Sequence, residues 1–424
     1  MKPTSALVRK GLIGWVLLCL WISSLALAQG IPGNAPEDFG FSSERLARLQ
    51  DLLSKRVEEG KYAGAVSLIL REGAVVDFFS CGMQDLEKKI PMQKDAIFRI
   101  YSMSKVVTSV AVMALFEEGR FRLDDPVSNY LPELKSMRVF KGGTADQPEF
   151  EDARKPITIK HLLTHTSGLT YDFGTSPVEQ MYKNVKLWEA ISCKDFLQRV
   201  SKIPLVSQPG ETWTYGINTD VLGCLVEAVS GQSFEEFLSE RIFKPLQMVD
   251  TGFSVPDPKL DRLAQLYEAG PDGKLKVAAP VLNLQTAAKP KFCSGGGGLF
   301  STVPDYARFA AMLLDGGRLD NAQILGRKTV ELMTANHLNH MSRQTTVWSE
   351  SEGFGLGGSV RIDLAKGNSS GSVGQFGWTG AATTYFNIDP RERTVVLLFL
   401  QHLPHDQYGL FPKYSTLFYS SMVE

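Results

Sequence analysis

Strand-like runs lie near both ends of this chain, and the long stretch between them reads as helices and loops. Ala65 to Leu70 and Ala74 to Ser80 are apolar runs joined through Arg71-Glu72-Gly73, the pattern of a hairpin. Far down the chain, Phe354 to Ile362, Thr383 to Ile388 and Thr394 to Gln401 read as strands again, with a turn at Asp389-Pro390. From Leu123 to about Lys289 apolar helix candidates dominate, at Ile159 to Leu163, Cys193 to Val200, Asp220 to Val229 and Phe234 to Phe243. The two sets of strands therefore have to share one sheet, with a mainly helical lobe inserted between them. This order excludes the strict strand-helix alternation of a parallel sheet. It predicts an α/β fold of the α+β type, a central antiparallel sheet flanked by helices. The sheet lobe would cover about 29–122 and 290–424, the helical lobe about 123–289.

Other helices are expected at Ser43 to Glu59, Pro304 to Leu314 and Gln407 to Met422, with strand character near Gly298 to Ser301. A chain of 424 residues, 43% hydrophobic and 21% charged, is long enough for lobes around sizeable cores. A net charge of -1 offers no basic surface for nucleic acid and no acidic tail, so a small-molecule or peptide partner is expected.

Lys2, Arg9 and Lys10 precede an apolar stretch from Gly11 to Leu27, and Ala26-Leu27-Ala28 follows the small-x-small pattern of a cleavage site. Residues 1–28 thus read as a secretory signal peptide cut after Ala28, which places the mature protein in the periplasm or the medium. No other segment is long and apolar enough to span a bilayer, so no stable membrane insertion is expected after cleavage. Cys81, Cys193, Cys224 and Cys293 remain, widely separated and in no metal-ligand spacing, and read as four isolated, mostly buried thiols.

Ser102-Met103-Ser104-Lys105 is the only Ser-x-x-Lys in the chain, and it opens the apolar run Val106 to Phe116, a helix that Gly119 ends. A serine hydroxyl is a poor nucleophile without a base beside it, and a lysine three residues on shares its helical face. With Ser102 at the helix start, its hydroxyl and N–H lie at the positive end of the helix dipole, where an oxyanion is stabilised. Acyl transfer also needs a proton relay to the leaving group. Tyr215, in the turn-like Trp213-Thr214-Tyr215-Gly216-Ile217-Asn218, would serve if a cation such as Lys105 lowered its pKa. Gly377-Trp378-Thr379-Gly380-Ala381 is a small-residue strand opening where backbone N–H groups can approach a ligand closely.

These segments, in this order, resemble the serine β-lactamase and penicillin-binding protein superfamily, whose Ser-x-x-Lys is combined with a second polar element and Lys-Thr-Gly. The chain is most similar to the branch of class C β-lactamases and carboxylesterases of β-lactamase fold. The likeness also takes in Ile97 to Ile100, Gly119 through Val127, Ile157 to Leu169, Asp220 to Gly223, Gly296 to Thr302 and Tyr385 to Pro390. It implies a β-lactamase/transpeptidase-like fold, Ser102 as nucleophile, Lys105 as its activating partner and Tyr215 as the acid/base. It places the oxyanion hole at the N–H groups of Ser102 and Ala381, and substrate contacts at Ile217, Asn218, Trp378, Thr379 and Gly380. No cofactor and no metal are implied.

Two departures bear on what is acylated. Trp378 stands where the superfamily has the lysine of Lys-Thr-Gly, and Tyr-x-Asn becomes Tyr215-Gly216-Ile217, with Asn218 one position late. The resemblance therefore points to an exported serine hydrolase of carboxylic esters. A class C-like β-lactamase, a D-alanyl-D-alanine peptidase or a non-catalytic binding protein of this fold is the alternative. Two further patterns read as structural. Gly367-Asn368-Ser369-Ser370-Gly371 matches a nucleophile elbow but lacks the strand before it and the helix after it, and reads as a polar loop. His161 and His165 have zinc-ligand spacing, yet no glutamate sits between them and Leu162-Leu163 reads as packed helix.

Overall fold

The computed structural model describes residues 35–280, 288–339, 341 and 350–424; the signal-peptide reading lies outside them. An eight-stranded sheet forms the centre. Its strands are β1 (Gly64–Arg71), β2 (Ala74–Asp85), β3 (Ile90–Pro91), β4 (Glu352–Phe354), β5 (Ser359–Arg361), β6 (Phe376–Gly380), β7 (Thr384–Asp389) and β8 (Thr394–Phe399). They stand in the order β4-β5-β6-β7-β8-β1-β2-β3, every neighbouring pair antiparallel. The join between the two ends of the chain is β1 against β8, with Val66 opposite Phe399 and Arg71 opposite Thr394. Both strands are buried on both faces, which is why they read as continuous apolar runs rather than alternating ones.

Helices cover the two faces. On one lie α1 (Ser43–Glu58) and, at the end of the chain, α5 (Leu410–Ser421), packed against β1 and β8 through Leu46, Leu49, Leu53, Tyr414 and Phe418. Ser42 rather than Ser43 caps α1, its hydroxyl accepting from Arg45 N–H. On the other face lie α2 (Ser104–Glu117), α3 (Asn218–Ser230) and α4 (Val303–Leu314). In α2 every residue from Ser104 to Leu115 is buried. A helix apolar all round has to be enclosed on all sides, and the sheet lobe on one flank and the inserted segment on the other do this, so that one hydrophobic core runs through both.

The structure departs from the expected elements in several places. Phe354 to Ile362 is two strands, β4 and β5, which pair with each other through a tight Gly355 to Gly358 connection. The helical lobe contains two hairpins, Arg138–Gly143 with Pro148–Asp152 and Tyr267–Ala269 with Leu275–Val277, and a short one, Arg318–Leu319 with Ala322–Gln323, follows α4. Phe234 to Phe243 is α-helical only to Leu238 and continues as a π-helical turn, Ser239–Phe243. Lastly, Cys193 and Cys224 are not isolated thiols. They form a disulfide that ties the helix Cys193–Val200 to α3, with Cα atoms 5.4 Å apart. Spacing along the chain could not show this pair, because two helices bring it together. Cys81 and Cys293 remain free, and burial pushes their thiols up to about 11 and about 12 respectively, so both stay protonated and inert.

Candidate active site

Ser102 lies in a single 3-10 turn, Tyr101–Met103, that runs straight into α2. It therefore sits just ahead of the α-helix rather than as its first residue, still at the positive end of the dipole. Tyr101 before it adopts φ 42°, a left-handed conformation that side chains seldom take, at a cost of about 1–3 kcal/mol. Packing against Leu266, Ala278 and Ala382 holds it there.

Lys105 has no exposure at all. Its Nζ is 3.2 Å from Ser102 Oγ, donates to Tyr171 Oη at 2.9 Å and donates to the carbonyl oxygen of Gly296 at 2.6 Å. A carbonyl can only accept, so one N–H is committed to Gly296 and a second has Tyr171 as its acceptor. In the neutral amine the lone pair is then left facing Ser102 Oγ. That is the arrangement a base needs. Burial holds the Tyr171 phenol well above its usual range, aided by Asp220 and Tyr215, so it stays protonated beside the lysine.

Tyr215 meets Lys105 differently from the sequence expectation. Nζ stands 4.7 Å from the centre of its ring, a cation-π contact, while its hydroxyl takes a long hydrogen bond, 3.4 Å, from Trp378 Nε1. Tyr171, not Tyr215, has its hydroxyl on the lysine. Tyr171 escaped the sequence reading because it is a lone tyrosine in a loop with no period, and only the fold brings it to α2.

The strand β6 forms the opposite wall. Trp378 is almost fully buried, edge-on to Phe354 at 5.2 Å and tilted against Tyr215 at 5.6 Å. Thr379 points to the other face of the sheet, where its Oγ1 is 3.0 Å from His405 Nε2. A side chain at Gly380 would put its Cβ 2.3 Å from the carbonyl oxygen of Ile100, so only glycine lets β6 press against the turn that carries Ser102. Ala381 follows directly and packs beside Tyr101 in that turn.

Ile217 and Asn218 are not exposed to any cavity; both are completely buried. Asn218 accepts from Ser167 Oγ and stands 2.9 Å from His165 Nδ1, which also accepts from Gly216 N–H at 3.3 Å. The one-residue displacement of the asparagine thus turns it from a substrate contact into a brace behind the Tyr215 turn. It also fixes His165, whose Nδ1 accepts and whose proton sits on Nε2. Burial, reinforced by Lys105, holds this imidazole well below its usual range, and it stays neutral. His161 instead caps its own short helix, its Nδ1 accepting from Thr158 N–H at 3.2 Å. Among the described residues no group of three or more histidine, cysteine or acidic side chains could hold a metal. Ser369 is in a loop, as expected, its Oγ accepting from Arg361 at 3.3 Å.

The family model described as Beta-lactamase matches residues 49–415. Protein Rv1367c of Mycobacterium tuberculosis is 34% identical over 356 residues, 82% of this chain and 88% of its own length. Esterase EstB of Burkholderia gladioli is 31% identical over 297 residues, 64% of this chain and 71% of its own. Among solved structures, EstCE1, described as a hydrolase with promiscuous acyltransferase activity, superposes with a TM-score of 0.73 at 27% identity, covering 90% of this chain and 98% of that one.

Proposed function

The chain belongs to the β-lactamase family, and from that premise we propose that it is an exported serine hydrolase that cleaves carboxylic esters through an acyl-Ser102 intermediate. Membership beside esterase and acyltransferase relatives gives the coarser statement directly: this is a hydrolase or acyl-transfer enzyme of β-lactamase fold. The observation that carries the finer one is the Ser102 to Lys105 contact of 3.2 Å, made by a fully buried lysine whose other two hydrogens have acceptors.

The course proposed is that of an acyl transfer in two steps. Ser102 Oγ attacks the ester carbonyl as its proton passes to Lys105, and the carbonyl oxygen becomes an oxyanion facing the N–H groups of Ser102 and Ala381. The intermediate collapses with cleavage of the bond to the alcohol oxygen, which takes up a proton by way of Tyr215. Water, or a second alcohol, then attacks the acyl-serine and reverses the proton movements. No metal or cofactor is called on. Trp378, Phe354, Trp213 and Tyr215 form one cluster of rings that meets Lys105 at Tyr215, and Trp378 replaces the cation that would recognise a substrate carboxylate, which favours an uncharged apolar ester. Export is supported by the character of residues 1–28 and by the Cys193–Cys224 bridge, which belongs to an oxidising compartment. Among the described residues no helix is long and apolar enough to cross a membrane.

Hydrolysis of short-chain nitrophenyl esters, compared with that of a chromogenic cephalosporin, tests the proposal, with Ser102→Ala as the blank. Ester turnover and covalent labelling by a fluorophosphonate are expected for the wild type and absent in the variant. Strong cephalosporin turnover with negligible ester turnover overturns it.

A further inference from the structure

Asp220, on the first turn of α3, is a carboxylate with no exposed surface, and it faces the lysine's surroundings from behind. Its Oδ1 accepts from Ser294 Oγ at 2.5 Å and from the N–H of Gly296 at 3.0 Å. Its Oδ2 has no hydrogen-bond partner and lies so close to Gly296 that a Cβ there would come within 2.4 Å of it. Gly296 is the residue whose carbonyl holds Lys105 Nζ at 2.6 Å. One buried acid thus fixes both the backbone that aims the lysine and the charge beside it.

We propose that Asp220 is the positioning and charge partner of Lys105, holding Gly296 against Nζ and stabilising the ammonium that forms when Ser102 gives up its proton. The inference rests on the acyl-Ser102 reading and extends it from a pair to a Ser102, Lys105, Asp220 relay, in which the carboxylate itself takes no proton. Burying a carboxylate is costly, and the bonds from Ser294 and Gly296 together with the nearby Lys105 offset that cost. Burial raises the Asp220 carboxyl above its usual range, opposed first by the Lys105 charge and then by the bonds from Ser294 and Gly296. The other groups facing the lysine are Tyr171, Tyr215 and the neutral His165, while Asp172 flanks Tyr171.

The sign of the pH effect follows. An anion stabilises an ammonium formed beside it, so removing the Asp220 charge disfavours the step in which Ser102 gives up its proton. In Asp220→Asn the acid limb of the kcat/KM profile for a nitrophenyl ester is expected to move down by about one pH unit. The plateau is expected to fall on the order of a hundredfold. Ser294→Ala keeps the carboxylate but removes a bond that stabilises its charge, and should move the limb the same way by less. The pH dependence of fluorophosphonate labelling should follow both. Folded variants, checked by circular dichroism and thermal melting, that lose rate with an unmoved acid limb overturn the inference, and Ser294→Ala decides if Asp220→Asn does not fold. A wild-type protein that neither labels nor turns over esters instead overturns the ester reading itself.

Discussion

A fully buried lysine is tolerated here because each of its hydrogen-bonding directions has a partner: Ser102 Oγ, Tyr171 Oη and the Gly296 carbonyl. The same logic explains Asn218, whose amide closes a small polar network with Ser167 and His165. Asn218→Ala would take the acceptor from the buried Ser167 hydroxyl and leave His165 Nδ1 with Gly216 N–H alone, at a cost of about 1–3 kcal/mol. The expected outcome is a lower melting temperature with KM for a small ester unchanged; a raised KM at unaltered stability would restore Asn218 as a substrate contact. Ser102 and Lys105 were legible because they are three apart on one helix, and Trp378 because it breaks a motif. Tyr171, Asp220 and Gly296 were not legible as partners of Lys105. They come from three separate segments, and no local spacing records that the fold closes them around one amine.

Among the elements, those with a strong local period were foreseen closely. The helices Ile159–Leu163 and Cys193–Val200 have the expected limits, and the β1–β2 hairpin turns where Arg71-Glu72-Gly73 predicted. The hairpin Arg138–Gly143 with Pro148–Asp152 was missed because only Val139 in it is buried and its charged residues are all exposed, leaving little apolar alternation to read. The bridge between Cys193–Val200 and α3 was missed for the opposite reason: both helices were foreseen, but not their contact. Its sequence separation is 31 residues, so loss of the cross-link should destabilise the protein by about 4 kcal/mol through the entropy of the unfolded chain. Urea unfolding of Cys193→Ser against wild type, both without reductant, measures this, and an unchanged midpoint would show that the bridge contributes nothing.

At the scale of the whole molecule, the strands of the two chain ends meet in one sheet, and β8 stands between β1 and β7. The hairpin β1–β2 therefore has no connection to β6, and so to the wall of the site, until β8 is in place. A chain ending at Asp389 lacks β8 and α5 and should give no fluorophosphonate-labelled product, although Ser102, Lys105, Tyr215 and Trp378 are all present in it. Labelling of that truncated chain at the wild-type rate would contradict this. The inserted lobe was legible as a change from strand to helix patterning, while the single core it shares with the sheet was not, since sequence order says nothing of which helix faces meet.

The close approach of β6 to the Ser102 turn, permitted by Gly380, gives this architecture a timing. On a ribosome, the nucleophile is made early and the strand that completes its surroundings is made near the end, and contacts so distant in sequence form slowly. The hydrolytic apparatus is thus held open throughout synthesis. The turn that carries Ser102 and the strand that closes on it therefore meet only after nearly the whole chain has been made.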